Sequence, residues 1–181
     1  SGILARPTAD NYIYDGVTTV VTGNCGGSEV DIPTFFKRLD SAGRSINVAT
    51  LIGHNSVRAF VMGRDNRPPT TEEQLKMESL VEQCMKDGAV GLSTGLIYVP
   101  GTYATTEEVI GLARAAAKHN GLYASHIRNE ESSVTQAIEE AINIGRQANI
   151  PVKISDFKVG GKANWGRSTE TISQIEAARK E

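Results

Sequence analysis

The chain alternates between short apolar runs and longer segments with helical periodicity. About five apolar runs, several of them rich in β-branched residues, end in polar loops. They lie at residues 16–22, 46–52, 89–92 and 121–126, with a last run that ends at Ser155-Asp156. Strands that alternate strictly with helices predict an α/β fold with a parallel sheet, because parallel strands need a crossover between them.

The segments between these runs predict helices with clear start and stop signals. Helices are predicted at 33–42, 72–87, 106–119 and 168–180, with a long amphipathic helix inside 121–158 and a short one near 9–14. Thr70 or Thr71 caps the helix at 72–87. The buried stripe of that helix is predicted to hold Leu75, Leu80, Val81, Cys84 and Met85. Residues 56–69 are irregular and rich in arginine, and their pattern predicts no element.

The stretch 121–158 is the most informative part of the chain. It predicts a strand, a helix and a second strand, and the two strands end in the similar pairs Ser125-His126 and Ser155-Asp156. In a parallel sheet the carboxyl ends of the strands lie at one edge, where such folds place their active sites. We therefore expect His126 and Asp156 to lie close together.

The first apolar run ends in a third residue of interest. Residues 16–22 are β-branched almost throughout, which is typical of a strand buried on both faces. Glycines within 23–28 allow a sharp turn and leave Cys25 exposed at the strand tip.

Cys25, His126 and Asp156 are therefore candidate ligands of one metal ion. Thiolate, imidazole and carboxylate all suit zinc, and three protein ligands with an open fourth position are typical of catalytic sites. The alternatives are a buried structural cysteine, a histidine that caps a helix, and an aspartate that caps the following loop.

Other residues are weaker candidates. Ser93, Thr94 and Tyr98 are predicted to lie in the loop after the run at 89–92, where they could donate to a developing oxyanion or contact a substrate. Arg128, Asn129 and Glu130 follow His126 closely, and one of them could contact a substrate, although helix capping explains Asn129 and Glu130 equally well. For His54, which follows the run at 46–52, a structural hydrogen bond is favoured over a role in the site.

Composition narrows the class of protein. The 181 residues suit a single domain, 1–181, and the formal net charge is -2. Because there is no basic patch and no apolar run long enough for a bilayer, we expect neither a nucleic-acid nor a membrane partner. The two cysteines lie in different contexts and do not indicate a disulfide framework. With no signal peptide at the N-terminus, a soluble cytoplasmic protein is expected.

Five segments resemble the N-acyl-D-amino-acid deacylases, or D-aminoacylases, of the amidohydrolase superfamily. They are GVTTVVTGNCGGS, GHNSVR, GAVGLSTGLIYVPGTYATTEE, ASHIRNE and ISDFKVGGKANWG. The resemblance implies a metal-bearing TIM barrel that hydrolyses the amide of N-acyl-D-amino acids. By this likeness Cys25 and His126 match metal ligands, Asp156 occupies the place of another ligand, and Lys158 matches a substrate-binding lysine.

The resemblance also implies that the barrel is incomplete. The family has histidine at the position of Asp156, and its His-x-His motif and last-strand aspartate have no counterpart here. The chain therefore matches about strands two to six of the eight-stranded barrel, a partial TIM barrel with about five parallel βα units. Two unpaired sheet edges and an apolar interior face would then be open to water. Either a second copy or refolded chain ends must cover them, and we expect a homodimer.

These observations predict a metal-dependent hydrolase that uses zinc or another divalent ion to activate water for attack on a small-molecule substrate. Asp156 could act as general base if it binds the metal loosely, or the metal hydroxide could act unaided. Lys158 would neutralise charge on the substrate or transition state. Three alternatives remain: a promiscuous esterase or phosphotriesterase on the same metal site, a metal-binding fragment without turnover, and one half of a split enzyme.

Overall fold

Parallel strands and helices alternate along residues 2–180, which are the residues that the computed structural model describes. The strands are β1 (Thr19–Thr22), β2 (Asn47–Thr50), β3 (Ile52–Gly53), β4 (Gly91–Gly95), β5 (Leu122–His126) and β6 (Val152–Ser155). The helices are α1 (Asp10–Ile13), α2 (Ile32–Ala42), α3 (His54–Met62), α4 (Thr71–Lys86), α5 (Thr106–Ala117), α6 (Val134–Ala148) and α7 (Ser168–Ala178). Short 3-10 turns follow β4 and β6, at Gly101–Tyr103 and Lys162–Asn164.

All strand pairs are parallel, and the order of the strands follows the chain. β1 pairs with β2, and a second sheet has the order β3-β4-β5-β6. Only Leu51 separates β2 from β3, so residues 47–53 act as one bent strand that joins the two sheets. A Cβ on Gly23 would lie 2.1 Å from the Leu51 carbonyl oxygen, so only glycine permits this close approach. The five predicted parallel strands are confirmed, and the fold is a partial (β/α) barrel.

The core lies between the sheet and the helices that follow its strands. Helices α3 to α6 pack side by side in chain order. Their fully buried side chains include Val57, Val81, Leu112 and Ile138, which belong to one cluster with Ile52 and Leu92 of the sheet. The predicted cap of α4 is confirmed, because Thr70 and Glu73 form a reciprocal capping box.

The sequence pattern predicted no element within 56–69, but the first half of this segment is helical. Helix α3 covers His54–Met62 and places Arg58 at a fully buried position. Arg58 pairs there with the buried carboxylate of Glu108 on α5, with Nη1 2.5 Å from Oε2. Because an arginine at a core position interrupts the apolar period, the sequence pattern concealed this helix.

The predicted burial of the first strand on both faces is also wrong. Val20 packs beside α2, whereas Val21 is 55% exposed on the opposite, concave face. The concave face is less apolar than we expected, although Val21 is exposed there. The strand register places small or polar side chains on the same face as His126, namely Ser93, Gly95, Ala124, Lys153 and Ser155.

Two smaller predictions are corrected. Leu75 is 59% exposed, and Met77 occupies the buried stripe of α4 in its place. Ser93 and Thr94 lie within β4 rather than in the loop after it. Within residues 2–180, the helices are too short or too polar to span a bilayer.

Candidate metal centre

His126 is the last residue of β5 and is almost completely buried. Its strand neighbours are Gly95 on β4 and Ser155 on β6. A Cβ on Gly95 would lie 2.2 Å from the Cys25 carbonyl oxygen, so the absence of a side chain there allows the Cys25 turn to pack against β4. The ends of β1, β4 and β5 therefore converge on one place.

Cys25 lies in the turn after β1, and Ser93 holds this turn in place. The Ser93 hydroxyl donates to the Gly23 carbonyl oxygen and accepts a hydrogen bond from the Gly26 N–H at 3.1 Å. Because Ser93 is fully buried in β4, the turn is fixed to the rigid part of the sheet.

Cys25 and Asp156 both adopt the left-handed backbone conformation. Their φ angles are +55° and +54°. A residue with a side chain pays a cost of about 1–2 kcal/mol in this region, although aspartate tolerates it better than most. Strained backbone of this kind clusters at functional sites, where the surrounding structure maintains it.

The three predicted ligands present their donor atoms to one another. His126 Nδ1 lies 3.4 Å from Cys25 Sγ and 3.1 Å from Asp156 Oδ2, and Sγ lies 4.0 Å from Oδ2. The three atoms fall within 4.8 Å of one another, so a single cation could contact all of them. The structure thus brings together the residues that the sequence placed at separate strand ends.

The electrostatics of the cluster favour a bound cation. Burial, together with the Asp156 carboxylate, raises the pKa of the Cys25 thiol, while Lys153 and Lys158 act in the opposite direction. Without a cation the thiol therefore keeps its proton to higher pH than an exposed cysteine would. A cation would offset the repulsion between thiolate and carboxylate and displace this proton.

Glu130, Lys158 and Tyr98 surround His126. Oε1 of Glu130 lies 3.0 Å from His126 Nε2, and Lys158 Nζ lies 2.6 Å from the same oxygen. The Tyr98 ring packs edge-on against the imidazole, with 4.9 Å between the ring centroids. Of the predicted substrate residues, Lys158 and Tyr98 are therefore beside the cluster.

The positions of Arg128 and Ser93 do not support a substrate contact. Arg128 is committed to the Glu140 carboxylate and to the carbonyl oxygens of Thr102 and Ala104. Ser93 has no exposed surface, and its hydroxyl serves the Cys25 turn. Both residues support the loops around the site instead.

His54 has the structural role that the sequence favoured. Its Nε2 lies 2.9 Å from Oε1 of Glu108, and both side chains are buried. It is the first residue of α3 and points into the helical layer rather than toward Cys25.

Two residues near the site were missed or underrated. Of the two residues that could cap a helix here, Asn129 accepts from the N–H groups of residues 131 and 133, whereas Glu130 lies beside His126. The spacing of four residues between His126 and Glu130 gave no signal, because it brings side chains together only on a helix and residues 127–131 form a loop. Asn55 joins Gly95 through both its side-chain oxygen and its side-chain nitrogen, and no sequence pattern indicated this contact.

Known proteins resemble the chain over nearly its whole length. It is 40% identical to a D-aminoacylase and 37% identical to an N-acyl-D-glutamate deacylase, both from Alcaligenes xylosoxydans xylosoxydans. Each comparison covers 97% of this chain and 41% of the relative. No protein-family model matches the chain.

Solved structures give the same result. A crystal structure of D-aminoacylase, described as defining a novel subset of amidohydrolases, superposes with a TM-score of 0.93 at 37% identity. The superposition covers 99% of this chain and 43% of that one. An N-acyl-D-glutamate deacylase from Bordetella bronchiseptica, complexed with zinc and a phosphonate inhibitor, gives a TM-score of 0.92 at 38% identity and covers 99% and 42%.

The sequence and the fold agree on the same group of proteins. The chain spans about two fifths of the length of the curated relatives that it matches. Over the part of these relatives that it spans, the chain is similar in sequence and in fold to the N-acyl-D-amino-acid deacylases of the amidohydrolases.

Proposed function

We propose that the chain carries the metal-binding part of an N-acyl-D-amino-acid deacylase, a metal-dependent hydrolase. Cys25, His126 and Asp156 would hold one zinc ion or another divalent cation. The observation that carries this proposal is the convergence of their three donor atoms within 4.8 Å, two of them on strained backbone. The zinc complex of the Bordetella relative supports the choice of metal.

The donor set fits zinc chemically. Thiolate sulfur, imidazole nitrogen and carboxylate oxygen are all ordinary zinc ligands, and three of them leave a fourth position open. Bound zinc would lower the pKa of a water molecule and polarise the scissile carbonyl group. The cluster is also reachable, since Asp156 is about half exposed while His126 is buried behind it.

Asp156 and Lys158 would act on the substrate side of the cluster. Oδ2 of Asp156 faces His126 and Cys25, and Oδ1 lies 3.9 Å from Lys158 Nζ. Asp156 can therefore offer one oxygen as a ligand and the other as a proton acceptor. Lys158 carries the positive charge that a substrate carboxylate would pair with, and Tyr98 lines the approach.

The first test is metal content. The purified chain is dialysed against zinc and then buffer, and zinc per chain is measured for wild type, Cys25→Ala and His126→Ala. His119→Ala is the matched control, since His119 lies near Glu82 and outside the cluster. About one zinc per wild-type and control chain, lost in the two site variants, is the expected result. A wild-type chain that binds no metal would overturn the proposal.

The second test is turnover. N-acyl-D-amino acids and their L enantiomers are assayed with the zinc-loaded chain, with and without chelator, beside an activated ester and a phosphotriester. Chelator-sensitive hydrolysis with a preference for the D enantiomer is expected. Turnover of only the ester or phosphotriester would favour the promiscuous hydrolase. Zinc without any turnover would favour a metal-binding fragment or one half of a split enzyme, in line with the share of its relatives that the chain spans.

We further propose that residues 1–181 form one domain that pairs with a second copy. Among residues 2–180, β1 pairs only with β2 and β6 only with β5, so each leaves one edge unpaired. Beside the β6 edge is a groove of about 690 Å³. Its apolar lining includes Ile142, Val152, Ile154, Phe157 and Ile175. Sedimentation equilibrium should give twice the 19.4 kDa chain mass, and a concentration-independent monomer would contradict the pairing.

A further inference from the structure

Glu130 lies between the two strands that supply His126 and Asp156. It belongs to the loop that connects β5 to α6, four residues after His126. Its side chain is only 12% exposed, which is unusual for a glutamate in a loop. A buried carboxylate needs partners, and both of its partners belong to the candidate site.

The two nitrogens of His126 have different surroundings. Nδ1 faces Cys25 Sγ and Asp156 Oδ2. Nε2 is buried and has no well-aligned hydrogen bond with any of residues 2–180. The acceptor 3.0 Å from it is Oε1 of Glu130. If Nδ1 donates its lone pair to a metal, Nε2 must carry the proton, and Glu130 is the group in place to accept a hydrogen bond from this N–H.

The same carboxylate fixes the loop after β6. Lys158 Nζ lies 2.6 Å from Oε1, and the Gly160 N–H donates to the Glu130 carbonyl oxygen. One residue therefore contacts a ligand at the end of β5 and the lysine that follows β6. The Glu130 carboxylate is thus placed to fix both groups relative to Asp156.

We propose that Glu130 is a positioning residue that orients His126 for metal binding and holds Lys158 beside it. This inference rests on the proposed metal site. A carboxylate that accepts the second N–H of a ligating histidine fixes the tautomer and the ring orientation and increases the basicity of the donor nitrogen. The loss of such a partner costs about 10–100-fold in metal affinity in other metalloproteins.

Geometry assigns Glu130 to positioning rather than to chemistry. It approaches the imidazole at Nε2, whereas the metal donors gather at Nδ1. The imidazole ring therefore stands between the Glu130 carboxylate and the metal position. Asp156 places a carboxylate oxygen beside Nδ1, where the metal would bind, and Glu130 does not.

The test is zinc affinity, measured by competition with a chromophoric chelator, for wild type, Glu130→Gln, Glu130→Asp and Glu131→Gln. Glu130→Gln removes the charge, and Glu130→Asp keeps the charge but withdraws the oxygens by about 1.5 Å, one carbon–carbon bond. Glu131→Gln is the matched control, because it makes the same chemical change at a largely exposed neighbour. We expect both Glu130 variants to bind zinc at least about tenfold more weakly than wild type, and the control to stay within about twofold.

Two comparisons separate the possible outcomes. Circular dichroism and melting temperature in chelator show whether each variant keeps the fold. Zinc affinities of the Glu130 variants in a Lys158→Met background show whether the loss of affinity passes through His126 or through the lysine. Wild-type affinity in both Glu130 variants would overturn the inference while leaving the metal site intact. Wild-type affinity in Glu130→Asp alone would also overturn it, since net charge and not orientation would then be responsible. No zinc bound by wild type would instead overturn the proposed function itself.

Discussion

Replacement of Cys25 by glycine and by alanine would measure the backbone strain at the candidate site. Both variants remove the thiol, but only glycine adopts a φ of +55° without steric cost. The left-handed conformation costs about 1–2 kcal/mol for a residue with a Cβ. The greater conformational freedom of glycine in the unfolded chain lowers the free energy of unfolding by about 0.4–1 kcal/mol. Cys25→Gly should therefore be about 1 kcal/mol more stable than Cys25→Ala.

Calorimetric melting in chelator would detect this difference. For a chain of this size, about 1 kcal/mol corresponds to a rise in melting temperature of roughly 2–4 °C. The pair Ser79→Gly and Ser79→Ala is the control, since Ser79 is exposed within α4. There glycine should be the less stable variant by about 0.5–1 kcal/mol. A Cys25→Gly variant that melts at or below Cys25→Ala would refute the argument from strain.

The melting temperatures of wild type and the two Cys25 variants would also be measured with zinc in place of chelator. A ligand that binds only the folded state at about 100 times its dissociation constant adds about 2.7 kcal/mol to the free energy of unfolding. Wild type should therefore melt several degrees higher with zinc than with chelator. Both Cys25 variants should gain much less, because they have lost a ligand. Equal gains in all three proteins would mean that zinc binds elsewhere.

Two further predictions concern charge. Burial opposes ionisation of Glu108, but hydrogen bonds from His54 and Arg58 outweigh it and hold the pKa of the carboxyl below its usual range. Its stabilisation is therefore complete above the unfolded pKa of about 4.3 and is lost as the pH falls through the lower folded value. In urea unfolding at pH 7, Glu108→Gln should lose about 3–5 kcal/mol because Arg58 stays buried without its partner, and a loss below 1 kcal/mol would contradict this role. Asp156→Asn removes a carboxylate that raises the pKa of the Cys25 thiol, so in metal-free protein at pH 8 the thiol should react faster with iodoacetamide. An unchanged rate would show that Asp156 does not act on the thiol.

Local pattern was enough for most of the fold. The five parallel strands follow from apolar runs that alternate with amphipathic segments, and the Thr70 cap follows from a short motif. The three candidate ligands were also found from sequence, because each follows or ends a strand and the carboxyl ends of parallel strands meet at one edge.

The register of the last two strands had to come from the structure. The sequence placed Asp156 level with His126 at the strand ends. In the structure His126 lies opposite Ser155, so Asp156 is one residue beyond the position opposite His126. Successive side chains in a strand point to opposite faces, and a regular continuation of β6 would turn Asp156 away from His126. The strand instead ends at Ser155, and the left-handed backbone at Asp156 places its carboxylate beside the imidazole.

The sequence by itself determined most of the strands and helices, with α3 as an exception, because that choice depends on side-chain periodicity within a few turns of chain. Only the tertiary structure decided which charged residues are buried. Arg58 is a core residue because Glu108 on a different helix meets it, and Glu130 is a site residue because Lys158 and His126 share its carboxylate. A charge is buried only when distant parts of the chain supply its partners, and no local pattern records that pairing.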